Sequence, residues 1–269
     1  MINFSFFNHK GGTGKTALNI LSALELQRQG YKVLFVDVDG QANATSFLYN
    51  TTGNEKTIMD ALINNLKLED IIIKNPLEKY PGLDLVPASI NISQLETIIA
   101  AKTAKEKVFL RWFSKNIEVA KEYDYIIFDL NPAPSTINQN ILVALDSIIC
   151  VAEYDDVSSL RGIEDFIDKY KDDIDALELE SAKIATMLNK YKESKSTSKE
   201  IFNTILPAYE KTNKAMLDTK VHDSVAVKTA ILYRQSLYDY VKTNKSEGNI
   251  RVNNEIIQLI NELKGKELL

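Results

Sequence analysis

Residues Lys10-Gly11-Gly12-Thr13-Gly14-Lys15-Thr16 stand between an apolar run, Ile2 to Phe7, and a leucine-rich stretch, Ala17 to Gln29. The first run reads as a strand. The second carries Leu18, Leu21, Leu24 and Leu26 among polar residues and reads as a helix. A strand, a glycine loop closing on Lys-Thr and a helix form the context in which a Walker A loop cradles a polyphosphate. Gly11, Gly12 and Gly14 allow the backbone to curl until its N–H groups converge, and the next helix adds the positive end of its dipole. Lys15 is then expected to reach the β- and γ-phosphates, with the Thr16 hydroxyl on magnesium.

The rest of the chain repeats that alternation. Phe4, Val33, Leu83 to Val86, Ile126, Ile148 and Ile184 each sit in a strand-like apolar run separated by helical stretches. This argues for an α/β fold: a twisted, mostly parallel sheet with helices on both faces and the nucleotide at the carboxyl ends of the strands. Residues 90–121 are amphipathic with little Gly or Pro and predict one or two helices. No internal repeat or low-complexity linker interrupts residues 1–269, so one domain is expected.

Two strands end in carboxylates. Lys32 to Val36 runs into Asp37-Val38-Asp39-Gly40-Gln41-Ala42-Asn43-Ala44-Thr45, and Tyr123 to Phe128 runs into Asp129. Carboxylates beside a phosphate site are costly unless they meet a metal or a water. Read alone, each segment is equally a solvated turn or an ordinary strand end.

Together the three blocks resemble the ParA/MinD family of deviant Walker A ATPases. Lys10 supplies the early lysine of KGGxGKT, residues 37–45 resemble DxDPQxNAT, and Asp129 stands where that family has its Walker B carboxylate. Residues 222–227 resemble a later IPRSVAV-like stretch, so the likeness runs to about Ala230. It implies a P-loop NTPase that hydrolyses ATP weakly with magnesium. Catalysis would rest on Lys10, reaching the partner's nucleotide across a dimer, with Lys15 and Asp39, the latter at the attacking water. Asp37 and Asp129 would support the metal. Nucleotide contacts would come from Gly11 to Ala17, with Met187 and Asn189 near the adenine. Three departures bear on affinity and loop stiffness: Ala17 for a second Thr, Gly40 for Pro, and Leu130-Asn131-Pro132 for Thr-Pro-Pro.

Composition narrows the choice of relatives. A single cysteine, Cys150 in Ile148-Ile149-Cys150-Val151, reads as a core thiol and excludes a disulfide framework or a cysteine-held cluster. His9 and His222 are too few and too separated for a zinc site; His9 either flanks the nucleotide loop or is an ordinary surface residue. No apolar run approaches the ~20 residues that span a bilayer, and Met1 to Phe7 is too short for a signal sequence. A cytoplasmic protein is expected, without an N-terminal helix-turn-helix for operator binding.

The net charge of −5 hides an asymmetry. Between Lys183 and Arg251 there are thirteen Lys or Arg against seven Asp or Glu, a balance of +6 that leaves −11 for the remainder. A basic face doubled by dimerisation could meet phosphates. By resemblance, residues 183–269 would hold the non-specific DNA-binding face of an ATP-bound homodimer. Its pool is Lys190, Lys192, Lys220, Lys228, Arg234, Lys242 and Arg251, each of which reads singly as a solvated side chain as well. The stretch Asn253 to Leu263 places Ile256, Ile257, Leu259, Ile260 and Leu263 at helical spacing, but its tail has two lysines and no aromatic residue. That favours core or dimer packing over a membrane anchor. The expectation is a nucleoid-associated DNA-partition ATPase stimulated by a ParB-like centromere-binding protein. The alternative is a MinD-like or cargo-positioning ATPase on a membrane or protein scaffold.

Overall fold

The computed structural model describes residues 1–89, 91–192, 206 and 215–269. Seven strands form one sheet: β1 (Ile2–Phe7), β2 (Val33–Asp37), β3 (Leu83–Val86), β4 (Tyr125–Asp129), β5 (Ser147–Glu153), β6 (Lys183–Tyr191) and β7 (Met216–His222). Their order is β3-β2-β4-β1-β5-β6-β7, and every pairing is parallel. The chain places β2 and β3 on one side of β1, returns to insert β4 between β2 and β1, and then adds β5, β6 and β7 on the other side. The strand order therefore reverses beside β1, where an open α/β sheet forms its ligand crevice.

Both sheet faces are covered, so the central strands are apolar without alternation. Phe4 and Phe6 face one core while Phe7 faces the other. The first core lies under α1 (Lys15–Arg28), α2 (Asn43–Leu48), α9 (Val225–Leu232), α10 (Leu237–Thr243) and α11 (Glu247–Gly265). The second lies under α3 (Ile58–Asn64), α4 (Ile92–Ala100), α5 (Val108–Lys115), α7 (Thr136–Leu142) and α8 (Val157–Leu177). The expected α/β architecture is thus present, and the sheet is wholly rather than mostly parallel.

Two elements differ from the sequence reading. Residues 90–121 form not one or two helices but α4, α5 and the short α6 (Ile117–Ala120), with a 3₁₀ turn at Lys105–Lys107. The breaks have local causes. Ala104 adopts a left-handed φ of 49°, and the Asn116 side chain accepts from Leu68 N at 2.8 Å while donating to Trp112 O at 2.8 Å. Such an Asn competes with the helical backbone pattern. Strand β7 carries few apolar residues; only Leu217 and Val221 are buried. It is held by α11 instead, where Glu255 accepts from His222 N at 2.9 Å and pairs with its Nδ1 at 2.5 Å.

Helix α11 settles the packing of the C-terminal apolar stripe. Ile256, Leu259, Ile260 and Leu263 are buried with Val252 against α1 and β7, Ile257 is only half-buried, and Leu268 and Leu269 tuck in behind them. Among the described residues no helix is long and apolar enough to cross a membrane. Leu259→Ala, which empties a fully buried position, is expected to cost about 2–5 kcal/mol, read as a lower urea midpoint at unchanged slope.

Candidate nucleotide site

The loop between β1 and α1 is shaped by its neighbours as well as its glycines. Gly12 and Gly14 have φ of +82° and +96°, in the left-handed region that disfavours a side chain. At Gly14 the space is also closed: a Cβ there would lie 2.3 Å from Asn189 Nδ2. That amide, at the end of β6, donates to Thr13 O at 2.7 Å. From the other side, Asn8 Oδ1 accepts from Lys10 N at 2.8 Å while its Nδ2 donates to Val151 O at 2.8 Å. The loop is thereby pinned to β5 and β6.

Two lysines bracket it. Lys15, 6% exposed, turns inward and donates to Lys10 O at 2.9 Å. Burial lowers its pKa, opposed by the charges of Asp129 and Asp39. Lys10 projects from the exposed rim, where its ammonium meets Asp156 and lies 3.1 Å from Ser158 Oγ. Asp156 is the N-cap of α8, accepting from Ser158 N at 3.0 Å. Burial would raise its pKa, but Lys10 and Ser158 together bring it below the ordinary value.

Asp37 and Asp129 are register partners at the ends of β2 and β4. Both are essentially inaccessible to solvent. Asp37 Oδ2 accepts from Thr45 N and Oγ1 at 2.8 and 2.7 Å, and Oδ1 accepts from Asp39 N at 3.1 Å. This carboxylate organises the turn that follows it. Thr45 Oγ1 also accepts from Ala88 N at 2.9 Å, tying the turn to the end of β3. Asp129 Oδ1 accepts from Asn19 Nδ2 at 2.9 Å, and Asn19 Oδ1 accepts from Phe6 N at 3.0 Å, so one amide locks α1 to β1 and β4. Burial raises the pKa of both acids; the charge of Asp129 adds to it at Asp37, and that of Asp39 adds to it at Asp129.

Asp39 Oδ1 accepts from Gln41 N at 2.9 Å and from Asn131 Nδ2 at 3.2 Å. Asn131 belongs to the segment in which this chain departs from Thr-Pro-Pro, and the structure gives it to Asp39. His9 lies 3.1 Å from Pro132 O through Nδ1 and packs edge-on against Phe7 and Phe166. It therefore flanks the loop as one of its two sequence readings allowed.

The fold brings together Lys10 to Thr16, Asp37, Asp39, Asp129 and Asn189. Met187 is not at this surface: it is 0% exposed and packs in the first core with Val151 and Ala185. Part of the basic pool is gathered: Lys190, Lys192 and Lys228 all act on the Asp223 carboxylate and lower its pKa. Lys190 pairs with Glu153 at 3.1 Å and Lys192 with Asp223 at 2.7 Å. Lys220 sits over the Tyr191 ring, and Lys242 pairs with Asp239 at 2.9 Å and covers Tyr238. Arg234 donates to Ser46 O at 2.9 Å and Asn50 Oδ1 at 2.6 Å, bridging α9 to the end of α2. Lys228 and Arg251 are exposed. Sequence reasoning missed Asn8, Asn19 and Asp156, since lone polar residues carry no motif.

A divalent cation fits this donor set. Asp129 Oδ2 is buried without a hydrogen-bond partner among the described residues. It lies beside a second buried acid and near the Thr16 hydroxyl. Among the described residues no cluster of three acidic, His or Cys ligands occurs. Magnesium would thus be held by nucleotide oxygens and water, with Thr16 and Asp129 as the protein's share.

Comparison with known proteins agrees with this geometry. Residues 1–183 match the family AAA_31, described as an AAA domain. The cell division protein PomZ of Myxococcus xanthus is 35% identical over 160 residues, covering 59% of this chain and 48% of its own. The chromosome partitioning protein ParA of Caulobacter vibrioides is 32% identical over 142 residues, 52% of each chain. The match thus spans about half the length of these curated relatives. A solved Cyanothece McdA–ATP complex superposes with a TM-score of 0.76 at 16% identity, over 95% of this chain and 96% of that one, a likeness of fold. The chain belongs to the AAA-domain family AAA_31 and, within it, to the ParA/MinD group of deviant Walker A ATPases.

Proposed function

We propose that this protein is a ParA-type partition ATPase: it binds ATP with magnesium, closes into a homodimer, and in that form holds DNA without sequence preference in the cytoplasm, on the nucleoid. A ParB-like centromere-binding protein then stimulates its slow hydrolysis. The observation that carries the reading is the pair of lysines around one phosphate loop. Lys15 is buried within the loop, whereas Lys10 stands at its rim, held by an exposed ion pair that a partner's phosphates can replace. An exposed pair of this kind contributes little on its own, so exchanging Asp156 for phosphate oxygens carries a small cost.

Within the site, each group has a distinct task. The loop N–H groups and Lys15 bind the phosphates. Magnesium, when bound, neutralises charge on the transferring phosphoryl group. Asp39, fixed by Gln41 N and Asn131, orients the water. Asn189 keeps Gly14 and Thr13 in place. Rate enhancement then comes from positioning and charge.

DNA contact is drawn from the exposed cations Lys228 and Arg251, with Lys220 and Lys242 beside aromatic rings, the latter also paired with Asp239. Binding to a non-specific duplex, measured with ATP, ADP and no nucleotide at two salt concentrations, tests this. Salt-sensitive binding with ATP alone is expected. ATP binding without DNA binding at either salt would move the reading to a scaffold- or membrane-positioning ATPase.

A further inference from the structure

The ladder between β1 and β4 stops early. Its last register pair is Phe4 with Ile127, whereas β2 follows β4 as far as Asp37 with Asp129, and β1 follows β5 as far as Phe7 with Cys150. Continued by two residues, the β1–β4 register would set Phe6 opposite Asp129. The strands part there instead, at the carboxyl end of β1 where the nucleotide loop begins.

One side chain fills the opening. Asn19, 0% exposed on α1, accepts from Phe6 N at 3.0 Å through Oδ1 and donates to Asp129 Oδ1 at 2.9 Å through Nδ2. The same Nδ2 lies 3.4 Å from Phe6 O. The amide thus joins the two residues that the ladder no longer pairs, and it satisfies a backbone N–H that β4 has left open.

Few side chains could do this. The position asks for an acceptor and a donor on one short planar group. Asp would set a second charge against Asp129. Leu would leave Phe6 N and Asp129 Oδ1 without partners, and buried groups so stranded are costly. The glycine-loop motif ends at Thr16, so it does not itself call for Asn here.

The consequence reaches the metal. Asn19 follows Thr16 by three residues, which puts both side chains on one face of α1, one turn apart. Both meet Asp129. With Oδ1 held by Asn19, the carboxylate cannot turn freely, and Oδ2 is the oxygen left without a partner among the described residues. We propose that Asn19 is a positioning residue for magnesium: it fixes which oxygen of Asp129 is offered to the ion and its water shell. The proposal rests on the assignment of magnesium to Thr16 and Asp129 and names the residue that orients the second of them. Hydrogen-bonded support of this kind commonly sets metal affinity as strongly as a ligand does.

The test compares affinity for a fluorescent ATP analogue in EDTA and in magnesium, for the parent, Asn19→Ala and Asn19→Leu. Ala opens the site, whereas Leu is close to Asn in shape and keeps it filled, so the two variants should differ in melting temperature. Both lack the donor to Asp129. Affinity in EDTA is expected to stay at the parent's level in each, because Lys15 and the loop N–H groups remain. The gain that magnesium adds should fall by about tenfold or more, and alike in both variants. Should Asn19→Ala not fold, Asn19→Leu alone carries the comparison. A merely structural role predicts a loss that follows the melting temperature and appears in EDTA as well; that result would overturn the proposal. A full magnesium gain in either folded variant would do the same while leaving the metal assignment intact. A parent chain that gains nothing from magnesium would remove the assignment itself.

Discussion

Lys15→Ala is expected to abolish ATP binding, lowering affinity by about 100-fold or more, as loss of charge-assisted hydrogen bonds to a polyphosphate should. The structure explains why nothing nearby can substitute. Lys15 is buried inside the loop on Lys10 O, and its ammonium is the cation that acts against Asp39 and Asp129. Removing it leaves two carboxylates facing the phosphates without a countercharge, so like-charge repulsion adds to the lost contact. Lys10 does not take its place, because its backbone N–H is fixed by Asn8 Oδ1 and its side chain leaves the loop at the exposed rim. Titration with a fluorescent ATP analogue reads the effect, with circular dichroism confirming the fold. Tight ATP binding by the variant would mean that the loop is not the phosphate site.

Asp129→Asn should separate folding from metal chemistry. Asp129 and Asp37 are register partners, both buried, and their pKa values are raised by burial and neighbouring carboxylate charge. The sign of the pH effect follows from that direction. A group with a folded pKa above its unfolded one gives stability that is complete below the unfolded pKa and is lost as pH rises through the folded value. The nucleotide-free chain is therefore expected to lose stability from the ordinary carboxylate range up toward neutral pH. Asn keeps the acceptor that Asn19 needs while removing the charge. The variant should melt higher than the parent at pH 8 without nucleotide, by on the order of 2 kcal/mol. It should also lose the extra stabilisation that magnesium adds to ATP. Scanning fluorimetry across pH, with and without magnesium and ATP, measures both. A variant that melts lower at pH 8 and still responds to magnesium would remove Asp129 from the metal.

Much of this site was legible in the sequence because its parts recur at strand ends. A glycine loop before Lys15-Thr16 and carboxylates closing β2 and β4 are local patterns, and a parallel sheet gathers such ends at one edge. What escaped was the long-range polar scaffolding. Asn19 contacts Asp129 across 110 residues and Asn189 contacts Thr13 across 176; no window of sequence contains both partners. The cis contact of Lys10 with Asp156 was hidden for the same reason. Met187 shows the opposite failure: it shares a face of β6 with Asn189 but sits two residues deeper in the strand, where the first core covers it. Strand β7 was missed because it is an edge strand with two buried side chains, and its polar residues concealed it. The basic C-terminal region was visible as a charge imbalance, yet several of its members are engaged in ion pairs on their own chain.

The proposed function depends on ATP closing two copies of this chain through Lys10. Molar mass by light scattering, with ATP and magnesium, ADP and magnesium, or no nucleotide, tests it most directly. Doubling is expected with ATP alone, and a Lys10→Ala variant should bind ATP yet stay monomeric. A parent chain that remains monomeric with ATP bound, or a Lys10→Ala variant that dimerises equally well, would contradict it.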